Sequence, residues 1–330
     1  MIRYHVQTMA QQRIEQHTQL LKQAIDTLTE KGCVVHIAQD SAEAAALIGE
    51  LCGQTNTVCT FAPELEEIQL QQIVPQAMQT DLEAVVAQTL KRPYYNPRRA
   101  PLDNMEQSQI AQALQQYLGQ TVPPEQLLPA LKQQIKAAAD RADWGITGAD
   151  GIAADTGTII LAEDQGNGRL VSNIPTRHLA VMGLEKLYPS NEAALESIHA
   201  AWSAGSRQSP PVYYSYITGP SRTGDIEGII VCGMHGPLEV HVILLDNGRS
   251  QLLSHGKGKL LQCLECGQCT AALQQLLHDQ QPIPTPLTCK SLALANLHTP
   301  YQLEHAQWDA LHWQCPVAIT VQDLKDVLIR

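Results

Sequence analysis

The sequence predicts an α/β protein built on a parallel sheet, and three observations carry that prediction. Short β-branched runs alternate with amphipathic helical segments. The loops that close those runs are rich in Gly, Thr, Ser and Asp. The chain is 44% apolar but contains one Phe, so its core must be aliphatic, which suits strands buried on both faces.

Residues 8–31 read as one helix with Met9, Ile14, Leu20, Leu21, Ile25 and Leu28 on a broad stripe, ended by Gly32. "CVVHIA" (33–38) is a strand, "SAEAAALIGELCG" (41–53) a helix with Ser41 as its N-cap, and "TVCTF" (57–61) a second strand. This β-α-β order requires a crossover helix and parallel strands. Residues 63–130 are rich in Gln and Pro, with helical stretches near 81–90 and 105–118, and a further helix covers 124–142. From Trp144 the character changes to short strand-like runs separated by small polar residues. "LVSNIP" and "HLAVMG" continue that style, and two later segments each read as a strand followed by a Gly-rich turn. "SHGKGK" (254–259) reads as a Gly/Lys linker to a cysteine-bearing tail.

Three loops follow β-runs and hold candidate anion-binding groups: Thr147, Gly148 and Asp150; Asp155, Thr156, Gly157 and Thr158; and Gly219, Ser221, Arg222 and Thr223. In an open α/β sheet, ligands bind beyond the carboxyl ends of the strands. Glycines let backbone N–H groups approach an anion, and the Arg222 fork suits a carboxylate or phosphate. The alternative is that these are tight turns and caps. His178 and His235 are the acid–base candidates, with His235 preferred because it closes a strand; both are also compatible with structural hydrogen bonding.

The net charge of −11 argues against a nucleic-acid surface. The clearest basic cluster, Lys91, Arg92, Arg98 and Arg99, reads as a solvated turn. No apolar run is long enough to span a bilayer, and the first residues lack a secretory pattern, so a cytoplasmic protein is expected. Nine cysteines, clustered late in the chain, suggest metal binding in a reducing compartment. Cys33, Cys52, Cys59 and Cys232 read as small core residues.

"DWGITGADGIAADTGTIIL", "GRLVSNIPTRHLAVMGLEKLYP" and "TGPSRTGDIEGIIVCGMHGPLEVHVILLD" together resemble the lactate-utilisation (LUD) family. The resemblance runs through most of residues 20–250 and is densest from 142 to 246. It implies a Rossmann-like α/β domain, related to the ribose-phosphate isomerase and CoA-transferase folds, over residues 32–253, preceded by an N-terminal helix (1–31). It also implies a role in oxidising L-lactate to pyruvate. The chain departs from the family in one place. After "TDLEAVVAQ" (80–88) the family's Pro-Ser-His segment is replaced by "RPYYNPRRAP" (92–101).

The tail opens with "CLECGQC" (263–269). Two-cluster ferredoxins repeat C-x2-C-x2-C-x3-C-P, and the fourth cysteine of each repeat serves the other cluster. On that pattern Cys263, Cys266 and Cys269 belong with Cys315, which precedes Pro316. The second set would fall on Leu273, His305, Trp308 and Leu311, which cannot hold a cluster. Residues 260–330 are therefore expected to be a small α-helical ferredoxin-like tail with one [4Fe–4S] cluster, as the resemblance also implies. The alternative is structural zinc on the same thiolates, or with His255 replacing one. Cys289 reads as a spare thiol.

The resulting expectation is a redox subunit that binds a small 2-hydroxy acid near Arg222. It relays electrons to other lactate-utilisation redox subunits, since one cluster carries one electron and lactate gives up two. No G-x-G-x-x-G follows a strand, so no nicotinamide or flavin fingerprint is present. The rival functions are a non-redox isomerase or acyl-transferase with a structural metal, and a non-catalytic assembly subunit.

Overall fold

Alternation along the longest strands decides the architecture. In the segment 177–183, Leu179 and Val181 face one side while Ala180 and Met182 face the other, and all four are buried. Such a strand needs cover on both faces. The computed structural model describes residues 2–92, 102, 105–205, 210–226, 229–277, 287–301 and 312–328, with side chains from residue 5 onward and excepting 225–226.

Twelve strands are present among the described residues. They are β1 (Val34–Ala38), β2 (Thr57–Cys59), β3 (Met78–Gln79), β4 (Trp144–Gly148), β5 (Gly151–Ala153), β6 (Thr158–Glu163), β7 (Arg177–Gly183), β8 (Leu187–Tyr188), β9 (Tyr213–Ile217), β10 (Arg222–Ile226), β11 (Ile229–Cys232) and β12 (Glu239–Leu245). The main sheet has the order β1-β12-β7-β4-β2-β3, and every neighbouring pair is parallel. One face packs on the helices Ser41–Cys52 and Pro63–Glu67. The other packs on the helix His17–Glu30 and on a smaller sheet ordered β8-β5-β6-β9. The mixed α/β class with a parallel sheet is thus as expected.

Local chemistry explains several departures. The N-terminal segment is two helices, Ile2–Glu15 and His17–Glu30, broken at Gln16. The N-cap of the next helix is Asp40, whose carboxylate accepts the Glu43 N–H at 2.8 Å; Ser41 is already inside the helix. An ionised acceptor at the positive helix end is the better cap. "LVSNIP" is not strand-like: Leu170–Asn173 lie in the helix Asn167–Asn173, whose first N–H groups, from Gly168 and Arg169, donate to the Glu163 carboxylate. The Gln-rich region folds into the helices Leu82–Thr89, Gln107–Leu118 and Pro124–Ala139 around their own apolar core.

Residues 254–259 do not separate two cores. Val6, Ala10, Ala201 and Leu252 share one apolar cluster with Leu260, Leu261, Leu273, Leu292 and Leu324. The tail contains the helices Thr270–Leu276, Cys289–His298 and Val321–Leu328. It lies against the α/β unit through that common core.

Candidate functional site: a carboxyl-end cleft and a cysteine cavity

The carboxyl ends of the parallel strands converge on a cleft of about 850 Å³, counting its open mouth. The turn after β2 supplies Thr60 and Phe61, the end of β3 leads to Asp81 and Glu83, and β4 supplies Thr147 and Gly148, followed by Asp150. The small sheet adds Leu161 to Glu163, and the segment after β7 adds Lys186. Trp202 closes one wall, and Glu265 from the tail closes another.

Backbone donors hold the acidic walls in place. Phe61 N–H donates to Asp81 at 2.5 Å, and Ala162 N–H donates to Asp150 at 2.8 Å. Burial pushes the Asp81 carboxyl up to about 7; Phe61 N–H acts against that shift, while Glu83 and Glu163 add to it. A carboxyl so placed can take or give a proton near neutral pH. The indole N–H of Trp202 is buried without a hydrogen-bond partner, an unmet donor in the cleft wall.

Beyond β7 and β12 lies a buried ion network absent from the sequence-based expectations. Lys186 pairs with Glu64 at 2.7 Å and with Glu265 at 3.0 Å. Lys290 pairs with Glu185 and Glu265, and Arg249 with Glu185 and, at 2.8 Å, with Glu67. Oxygens of Glu64, Glu185 and Glu265 come within 4.8 Å of one another; Lys186 bridges Glu64 to Glu265, and Lys290 bridges Glu185 to Glu265. Burial alone would raise Glu185, but Arg249, Lys290 and Lys186 together hold it well below the usual carboxylate range. Burial raises Glu64, with Lys186 opposing. The signal in the sequence was a Glu-Lys pair set inside the apolar run 179–188, and charged residues beside Cys266 and Cys289.

Glu265 links this network to the cysteines. It sits in the left-handed region at φ 57, uncommon for a residue other than Gly, and its N–H donates to Cys263 Sγ at 3.4 Å. Cys263, Cys266, Cys269 and Cys315 line one cavity of about 320 Å³, together with Trp313, Pro316 and Ile319. Cys289 lines it too and is buried. The thiol read as a spare is thus buried beside the other four cysteines. Burial, then the neighbouring Cys269 sulfur, pushes the Cys263 thiol up, while the Lys290 ammonium pulls it down. Convergent sulfurs with apolar walls and an N–H aimed at one of them fit a thiolate-held metal centre, which would displace the protons. His305, Trp308 and Leu311 lie outside the described residues, as do Arg98 and Arg99.

The other predicted loops do not join the cleft. Of the three, only Thr147, Gly148 and Asp150 line it. Asp155, Thr156, Gly157 and Thr158 form the turn from β5 to β6, where the Thr156 and Thr158 hydroxyls bond each other at 2.8 Å. Gly157, at φ 64, packs so closely on the backbone of Thr27 that a Cβ would lie 2.8 Å from its carbonyl carbon. Gly219, Ser221, Arg222 and Thr223 belong to the β10–β11 arm. The Arg222 guanidinium crowds Gly32, where an added Cβ would lie 2.1 Å from Nη2. It therefore sits over the C-terminal end of the helix His17–Glu30, where a cation is favoured. His235 is exposed on the same arm, and its backbone N–H donates to Ser221 Oγ at 3.2 Å; neither residue lines the cleft. His178 is wholly buried in β7 and bonded to Thr147, and burial lowers it to about 3. Cys33, Cys52 and Cys59 are buried as expected, but Cys232 is exposed on β11.

No helix among the described residues is long and apolar enough to cross a membrane. The family model of the LUD domain matches residues 21–245. Lactate utilization protein B of Bacillus velezensis is 29% identical over 278 residues, covering 81% of this chain and 56% of that protein. The Bacillus subtilis protein of the same name is also 29% identical, covering 76% of this chain and 52% of its own length. An Escherichia coli relative, named an uncharacterized electron transport protein YkgF, is 29% identical with the same coverage. This chain spans about half the length of the curated relatives it matches. Among solved structures, a DUF162 family protein from Deinococcus radiodurans covers 69% of this chain at 18% identity, with 98% of its own length matched and a TM-score of 0.40. The extent of the family match, over the parallel sheet and the cleft at its carboxyl end, makes this chain a member of the LUD domain family.

Proposed function

We propose that this chain is an iron–sulfur electron carrier of a lactate-utilisation system. The observation that carries this reading is the convergence of Cys263, Cys266, Cys269 and Cys315 on one buried cavity. These four thiolates would hold a [4Fe–4S] cluster, which supplies one-electron transfer. Lactate oxidation releases two electrons, so the chain would work beside other redox subunits. The names of the matched relatives, lactate utilization protein B and an electron transport protein, support the same role. A cytoplasmic setting is consistent with the free thiols.

The carboxyl-end cleft, rather than the Arg222 arm, would take the small 2-hydroxy acid. Lys186 offers a donor for a carboxylate, and Asp81 offers a proton acceptor for a hydroxyl group. Glu265 forms both a cleft wall and part of the cysteine loop, so substrate and cluster would lie on either side of one short segment.

Anaerobic purification with iron and acid-labile sulfide analysis tests the reading. A brown protein with about four irons per chain, bleached by dithionite, is expected. A colourless protein holding zinc would overturn it. Titration calorimetry with L-lactate tests the cleft: binding should be lost on Lys186→Met and kept in Arg222→Lys.

A further inference from the structure

The cysteine cavity holds one sulfur more than a [4Fe–4S] cluster takes from protein. Building on the function proposed above, we propose that Cys289 is a fifth sulfur of that site, a thiol that donates its S–H to the Cys269 sulfur and raises the reduction potential of the cluster.

The position of Cys289 is fixed from two sides. It is the first residue of the helix Cys289–His298, whose N-cap is Thr288. Thr288 Oγ1 accepts the Ser291 N–H at 3.1 Å, and Thr288 N–H donates to Ser291 Oγ at 2.8 Å. This reciprocal cap holds the first turn rigidly. Cys269 is in turn the N-cap of the helix Thr270–Leu276. The Thr270 hydroxyl donates to Leu287 O at 2.8 Å, tying the residue after one cysteine to a residue just before the other. The two cysteines are thereby tied to the same wall, and both line the one cavity.

Cys289 is 2% exposed, the deepest of the five, whereas Cys263 and Cys315 are only partly buried. Each iron of a cubane cluster takes one protein sulfur, so four thiolates complete it. The fifth sulfur lies behind a ligand, among Leu292 and Ala293 in the apolar cluster. A buried thiol there can fill the core and also act as a hydrogen-bond donor. Such bonds to cluster sulfurs draw electron density off the thiolate and stabilise the reduced form. The positive end of the helix that begins at Cys289 acts in the same direction.

The test uses the anaerobic full-length holoprotein and three variants. Cys289→Ala and Cys289→Val remove the donor, and Val also keeps the site filled; Cys289→Ser keeps a donor. Iron per chain is measured first, then the midpoint potential by redox titration followed by electron paramagnetic resonance. All three should hold as much iron as the wild type. Ala and Val should titrate at lower potential, and Ser closer to the wild type. A wild-type potential in both Ala and Val would overturn the inference and make Cys289 core filler. Loss of iron from all three variants would also overturn it, making Cys289 a ligand. A wild type that binds no cluster would refute the proposed function itself, a result distinct from either.

Discussion

Among single residues, the four motif cysteines and Asp81 carry the sharpest consequences. Cys266→Ser and Cys315→Ser should each remove most of the iron, measured as iron per chain after anaerobic loading. Their spacing was legible in the sequence because it matches the ferredoxin pattern. The place of Cys289 was not, since only the capped helix brings it back to Cys269. Asp81 gives a pH signature. Its carboxyl titrates near 3.8 when unfolded and at about 7 in the fold, so the folded state binds the extra proton between those values. Its contribution to stability is fully present below the lower value and is lost as pH rises through the upper one. Asp81→Asn keeps an acceptor for Phe61 N–H and cannot ionise. Denaturant unfolding should show wild-type stability falling by roughly 2–4 kcal/mol relative to the variant from acid to mildly alkaline pH. Parallel pH curves for the two proteins would show that Asp81 is not the group responsible.

At the level of elements, the parallel strands were readable from β-branched runs, and the helices from their apolar period. What the sequence could not convey is which loops share an end of the sheet. Thr147–Asp150 and Asp155–Thr158 are close in sequence and similar in composition, yet the first ends a strand of the parallel sheet and the second is the turn of the antiparallel β5–β6 pair in the smaller sheet. The loop with Gly219, Ser221, Arg222 and Thr223 looked like an anion cradle for the same compositional reason. Its arginine instead rests on a helix end beside Gly32. Arg222→Ala should therefore lower the melting temperature, with the contact at the helix end contributing about 0.3–1 kcal/mol, while L-lactate affinity stays within error. A large loss of affinity at unchanged melting temperature would return the binding role to the arm.

For the whole molecule, the decisive feature is that the tail and the α/β unit share both a core and an ion network. Arg249→Met would leave Glu185 and Glu67 without one partner each in a desolvated site, and breaking such a network costs about 3–5 kcal/mol. A marked fall in the denaturation midpoint is expected, and a wild-type midpoint would show the network to be dispensable. Truncation after Lys259 removes Glu265 and Lys290 from the network and uncovers Val6, Ala10 and Leu252. The truncated chain should aggregate or unfold without cooperativity, which light scattering and thermal melts will show. A soluble, cooperatively melting fragment would mean that the shared core is not needed. The same feature has a consequence for biosynthesis. Val6 and Ala10 pack with Leu273, Leu292 and Leu324, which are made hundreds of residues later. At ~5–20 residues per second, the first helix must wait many seconds for its partners, exposing an apolar stripe to chaperones throughout.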